Sequence, residues 1–216
     1  TLDEAMAQVQ ETISVADKAQ QMINEGYVID QNLAQGIRDG TVSVQQANDQ
    51  MQAAIDFAGL VTKAIDAGAA VPLNLAEQVK AGTISVQEAA QQVQDALDFQ
   101  SAVQKATDAG FKIPQEMATQ ITNGQLAPNE ALQRVQALLN YQKSLTDAGV
   151  AGQQIPQALS SALLSGQMTV AQANNAMNNW IEFSQANNEA IKAGASVPSE
   201  LASNIIQGKV TVDEAN

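Results

Sequence analysis

The sequence contains no cysteine and no histidine. That removes disulfides, thiolate nucleophiles, zinc sites of the Cys/His kind and imidazole general bases together. The missing cysteine carries no information on redox compartment, because reducing and oxidising settings both tolerate it. Aromatic residues amount to only 3% of the chain. A β-sandwich or barrel would draw more heavily on Val, Thr and Tyr. Here Ala and Gln do much of the filling, which suits helices packed closely through small side chains. No apolar run approaches the roughly 18 residues that would suggest a membrane span. Positive charge is scarce as well: 10 Lys and Arg stand against 23 Asp and Glu, a net charge of −13. Such a surface repels phosphate backbones and anionic headgroups, so neither nucleic acid nor a membrane is expected among the partners of this segment.

What the chain does have is a period. Gly40, Gly82, Gly124, Gly166 and Gly208 stand 42 residues apart without slippage. A second ladder, Gly26, Gly68, Gly110, Gly152 and Gly194, has the same spacing. So does a third, Pro72, Pro114, Pro156 and Pro198, with Asp30 at the corresponding place in the first unit. Three ladders sharing one period make residues 1–216 a single repeat array, divided as 1–42, 43–84, 85–126, 127–168 and 169–210, with 211–216 starting a sixth repeat. The fold class expected is all-α: an α-solenoid of five 42-residue helix-turn-helix repeats, each a long helix and a short one. Such a hairpin is too small to bury its own apolar face, and stacking on its neighbours completes the core.

Local signals place the elements. Ser43, Ser85, Thr169 and Thr211 are each followed three residues later by Gln46, Glu88, Gln172 and Glu214. That is the capping-box pattern at a helix start, and Thr1 with Glu4 matches it. The unit at 127 departs, with Pro128 at the first helical position, where a missing N–H costs nothing. A long helix is expected from about residue 43 to 67. Its main apolar stripe is expected to be Val44, Ala47, Met51, Ile55 and Ala58, widened by Phe57, Leu60, Val61 and Ala64. Gly68 ends it, and the chain passes extended through Val71 and Pro72 into a short helix of about ten residues. The buried pairs of the short helices are expected to be Leu75/Val79, Met117/Ile121, Leu159/Leu163 and Leu201/Ile205. In "TDAGVAGQQIP" an Asp-Ala-Gly comes three residues early, so that long helix should stop about one turn short.

Few residues invite a chemical role. Phe57, Phe99, Tyr141 and Phe183 form a column that could stack a ligand, but one aromatic per unit at helical spacing is read as packing. Trp180 is unique, and stands where other units have Ala54, Ala96 and Leu138. Asp56, Asp98 and Glu182, with Asn140 in the fourth unit, flank the column and are read as a solvated face, not a catalytic pair. No EF-hand or Gly-rich phosphate loop occurs. No residue is therefore assigned a catalytic, cofactor-binding or metal-ligating role, and no enzyme activity and no cofactor are expected.

The segments "IPQEMATQITNG" (113–124), "VPSELASNIIQGKVTVDEAN" (197–216) and "GTISVQEAAQQVQDALDFQSAVQKATDAG" (82–110) resemble the helical repeats of tail tape measure proteins of long-tailed bacteriophages, especially those of Gram-positive hosts. The resemblance extends over essentially the whole chain. It implies a non-enzymatic virion structural protein that sets tail length by templating polymerisation of the tail tube. It further implies protein partners, namely the tail tube, tail assembly chaperones and the tail tip, with self-association, and a location in the virion tail or, during assembly, in the host cytoplasm. The alternative is a helical-repeat protein-binding or scaffolding module of a bacterial surface or cytoplasmic protein.

Overall fold

In a computed structural model, residues 1–149, 154–194 and Asn204 are described. The described residues are helical, with long and short helices in alternation and no strand among them. The helices are α1 (Leu2–Asn24), α2 (Leu33–Arg38), α3 (Val44–Asp66), α4 (Leu75–Lys80), α5 (Val86–Asp108), α6 (Gln115–Thr122), α7 (Pro128–Asp147), α8 (Gln157–Ser165) and α9 (Val170–Lys192). From α1 onward each long helix starts 42 residues after the previous one, at Leu2, Val44, Val86, Pro128 and Val170.

The starts are those the capping boxes foretell. The Gln46 N–H donates to Ser43 Oγ at 3.2 Å, and the Ser43 N–H donates to Gln46 Oε1 at 3.0 Å. Ser85 with Glu88 and Thr169 with Gln172 make the same reciprocal pair. Each box satisfies donors that the first turn cannot pair internally. Pro128 opens α7 as its first residue. Thr211 and Glu214 lie outside the described residues.

The ends are equally regular. After α3 the Gly68 N–H donates to the Ile65 carbonyl and the Ala69 N–H to the Ala64 carbonyl, both at 2.9 Å. That second bond spans five residues and requires a left-handed residue at Gly68, whose φ is +69°. Gly82 closes α4 in the same way, with φ +68° and the Thr83 N–H on the Gln78 carbonyl. The helix α7 ends at Asp147, where α3 and α9 set the register for a stop three residues later. The expected early stop is therefore present, and residues 150–153 beyond it lie outside the described residues. The short helices run six to nine residues, shorter than the ten expected, because the glycine that closes each one follows its buried pair by only a few positions.

The chain divides into two compact bodies. One comprises Thr1–Gln100 with Ala118–Asn129, and the other comprises the described residues of Ser101–Met117 and from Glu130 on. In the first body, Ala16, Ala19 and Met22 of α1, Ile29, and Leu33, Ala34 and Ile37 of α2 cluster with Ala47, Met51 and Ala54 of α3. A second cluster joins Phe57 and Ala64 of α3, Leu75 and Val79 of α4, and Val86, Ala89 and Val93 of α5. Two backbone bonds tie successive short-helix regions, and they are themselves one period apart. The Gln31 N–H donates to the Lys80 carbonyl at 3.3 Å, and the Leu73 N–H to the Thr122 carbonyl at 3.0 Å.

The expected α3 stripe needs correction. Ala47 and Met51 are buried, but Ile55 and Ala58 are exposed, and the buried set continues through Ala54, Phe57 and Ala64. Three-residue steps each fall about 60° short of a full turn, so the buried face drifts around the helix. A single stripe cannot serve a helix that meets different elements at its two ends. The pairs Leu75/Val79, Met117/Ile121 and Leu159/Leu163 are all buried as expected, while Leu201/Ile205 lie outside the described residues.

Two substitutions test this packing. Phe99, 2% exposed on α5, should cost about 3–5 kcal/mol as Phe99→Ala, read as a lowered midpoint in urea unfolding. Gly59 lies inside α3, and a Cβ added there would meet nothing within 4 Å. Gly59→Ala should instead raise stability by about 0.5–1 kcal/mol.

Candidate functional site

Polar chemistry on this chain is dominated by glutamine facing aspartate one helical turn on. Gln35 donates to Asp39, Gln45 to Asp49, Gln52 to Asp56, Gln91 to Asp95, Gln94 to Asp98 and Gln104 to Asp108, at 2.8–3.0 Å. Pairs of this kind at i, i+4 support a helix by a few tenths of a kcal/mol each, about 0.2–0.5. Asp56 and Asp98, weighed as possible acid/base groups, are thereby placed on exposed faces with glutamine partners, and Glu182 is exposed too. Among the described residues no group of three or more His, Cys, Asp or Glu could hold a metal ion. Glu88 is held below the usual carboxylate range by the Ser85 N–H, then by the Ser85 hydroxyl. The stabilisation this gives helix α5 is present above the ordinary glutamate pKa and is lost as pH falls through the depressed one.

The aromatic column is packing. Phe57, Phe99, Tyr141 and Phe183 are all buried. Tyr141 differs from the phenylalanines by one hydroxyl, which donates to Asn174 Oδ1 at 2.9 Å. Burial pushes that phenol up to about 12. Trp180 is half-buried, its ring centroid 5.7 Å from that of Phe183. Its Nε1 and the buried Ser184 Oγ have no hydrogen-bond partner among the described residues.

The concave feature that does occur was not signalled by any motif. In the second body a cleft of about 820 Å³ lies between the α5–α6 connection, α7 and α8. Gly110, Phe111, Lys112 and Pro114 line it on one side, Leu138 and Gln142 on another, and Ser160, Ser161 and Leu164 on a third. Lys112 is the one ionisable residue among its described lining residues. The described lining offers hydroxyl, amide and ammonium groups for binding.

Beside it, Arg134 makes a contact that sequence reading missed. Its Nη1 donates to the Leu164 carbonyl at 3.2 Å and its Nη2 to Glu130 Oε1 at 2.5 Å. Other units have Gln8, Gln50, Gln92 and Ala176 at that place. The guanidinium lies so close to Gly166 that a Cβ there would sit 2.8 Å from it. Glutamine is missing from that place in two units of the five, here and at Ala176, so the repeat pattern does not single Arg134 out.

Comparison with models of protein families, with curated proteins and with solved structures gave no match.

The buried phenol gives a prediction with a definite sign. Its folded pKa lies above the unfolded value of 10.0, so folding favours the protonated form. Its effect on stability is constant below about pH 10 and turns destabilising as pH rises toward 12. Tyr141→Phe should remove that part of the alkaline loss, so the variant unfolds at higher pH than the parent in a circular dichroism titration. An unchanged alkaline midpoint would show that Tyr141 ionises freely in the folded chain.

Proposed function

We propose that the chain is an α-solenoid of five 42-residue helical hairpins and that it serves as a non-enzymatic structural segment of a phage tail tape measure protein. The observation that carries the array is the recurrence, one period apart, of both the helix starts and the backbone bond from Gln31 to Lys80 and from Leu73 to Thr122. A unit that bonds its neighbour the same way at two successive steps, first between residues 31 and 80 and then between 73 and 122, supports a linear stack.

The tail role rests on the resemblance of the repeat itself, and the distribution of chemistry is in keeping with it. Asp56 and Asp98, the carboxylates beside the aromatic column, are exposed and paired with glutamine, and no carboxylate is among the described residues lining the cleft. An acidic surface suits a protein that must not adhere to the DNA following it out of the tail. In this reading the partners are the tail tube, tail assembly chaperones and the tail tip, and the protein is found in the virion tail and, before that, in the host cytoplasm.

The cleft beside Phe111 and Lys112 favours a second reading, a helical-repeat binding or scaffolding module that holds a protein segment there. The two readings part on whether length matters.

Removing one repeat, residues 85–126, from the gene in its own setting should shorten tails by a constant step measured by electron microscopy. A step of about 60 Å corresponds to 42 residues laid out as continuous helix at 1.5 Å each. A step of about 10 Å corresponds to the spacing of one packed helix layer. Tails of unchanged length, or a parent with no tail, would overturn the tape measure role.

A further inference from the structure

Two junctions in the first body share a pattern that the second body breaks. In each of the two, a residue just ahead of one short helix donates its N–H to a carbonyl at the end of the next short helix, Gln31 to Lys80 and Leu73 to Thr122. The same loop also lies against the glycine that closes that next helix. A Cβ on Gly82 would meet Asp30 at 3.3 Å, and one on Gly124 would meet Asn74 at 3.5 Å.

One period on, the corresponding pair is Gln115 and Leu164, both in the second body. No backbone bond joins them. The Leu164 carbonyl accepts instead from Arg134 Nη1 at 3.2 Å. Arg134 fills the other place too, since a Cβ on Gly166 would meet its Nη1 and Nη2, both at 2.8 Å. One guanidinium thus occupies both positions that the loop takes at the first two junctions. Glu130, one turn back on α7, accepts from Nη2 and holds it there, and the Arg134 side chain is only 14% exposed. The cleft of about 820 Å³ lies where the loop stands off, between residues 109–114 and α8.

A local difference accompanies the change. Asn32 and Asn74 stand just ahead of α2 and α4, whereas Gln115 and Glu116, at the corresponding stretch, are inside α6. Asparagine competes with a helix by bonding to nearby backbone, and glutamate is a better helix former. The Gln115 N–H is thereby drawn into a first turn that has no intrahelical acceptor for it.

We propose that Arg134 is a wedge. It holds the 109–115 loop off α8 and keeps the cleft open, and without it the loop closes on α8 as its counterparts close on α4 and α6. The loop is a strap with its donor free and its acceptor taken by a side chain. Glutamine stands in the place of Arg134 at both closed junctions, as Gln50 and Gln92. The inference rests on the repeat-array reading and is independent of the tail role.

Amide hydrogen exchange followed by NMR on the full 216-residue chain tests it, with Gln31 and Leu73 as internal standards. In the parent those two amides should be protected and Gln115 should exchange freely. In Arg134→Gln, exchange at Gln115 should slow by about tenfold or more, toward that of Leu73. Loosened packing would give the opposite sign, so a merely structural role for Arg134 is told apart. Glu130→Ala keeps the arginine but frees its Nη2. It should slow Gln115 by a smaller factor, and it serves if Arg134→Gln does not fold. Protection at Gln115 in the parent equal to that at Leu73 would overturn the proposal, because the junction would already be closed. So would free exchange at Gln115 in every variant that keeps Gln31 and Leu73 protected. Free exchange at Gln31 and Leu73 in the parent would instead remove the tie between repeats, and the array reading would fall together with the wedge.

Discussion

A helical hairpin of 42 residues has more apolar face than it can cover from within, and the rest of this structure follows from that shortage. Ala47 and Met51 of α3 are enclosed only because α1 and α2 precede them. The Phe57 region is enclosed in its turn with α4 and the start of α5. Much of this contact is made through alanine: Ala16, Ala19, Ala47, Ala54, Ala64, Ala89, Ala96 and Ala106 are fully buried. Small side chains let helices approach closely, and they leave little volume to tune at any one site. The larger residues, the aromatic column along the long helices from α3 to α9 and one aliphatic or Met pair per short helix, supply the bulk that fills what alanine leaves open.

Register is protected by the ends of the helices more than by their middles. A strict period is kept when every long helix starts at the same residue of its unit, since one extra residue would rotate the next apolar face by about 100°. The capping boxes fix the starts, and the five-residue bond over a left-handed glycine fixes the stops. Gly82 has a further constraint. A Cβ there would lie 3.3 Å from Asp30 Oδ2, whose carboxylate meanwhile accepts from the Asn32 N–H. The same glycine thus ends one helix and makes room for the loop of the neighbouring hairpin. That double duty is a physical reason for a glycine ladder that never slips.

These features are local, and they were legible in the sequence. Hydroxyl residues three before Glu or Gln, glycine after the last apolar residue and Pro128 at a helix start act within a few residues of themselves. The early stop of α7 could be read from one displaced Asp-Ala-Gly for the same reason. Errors arose where burial depends on which neighbour a helix meets. Ile55 and Ala58 lie at helical spacing from Met51, yet the face that α3 buries drifts away from them. Arg134 was passed over because its meaning lies in a carbonyl 30 residues away. The cleft between α7 and α8 is likewise a product of tertiary arrangement, with Lys112 and Ser160 brought together from segments that carry no shared motif. Val9 is the sharpest case. Its side chain is the same as those of Val93 and Val135, which are fully buried, so the residue type alone does not tell which face is covered.

The repeat also bears on where polar groups are placed on the described helices. In a linear stack each unit's stability comes from its own helices and from two neighbours, so an unsatisfied or charged group placed at a junction would weaken two interfaces at once. An enzyme accepts that cost at one place to perturb a pKa or strain a backbone. Here the helices are lined instead by glutamine and aspartate that satisfy one another along a single helix. Bonds of that kind ask nothing of the next unit, and the polar surface can therefore be repeated without disturbing the packing beneath it. A sequence arranged in this way can be lengthened or shortened by whole units with every junction kept intact.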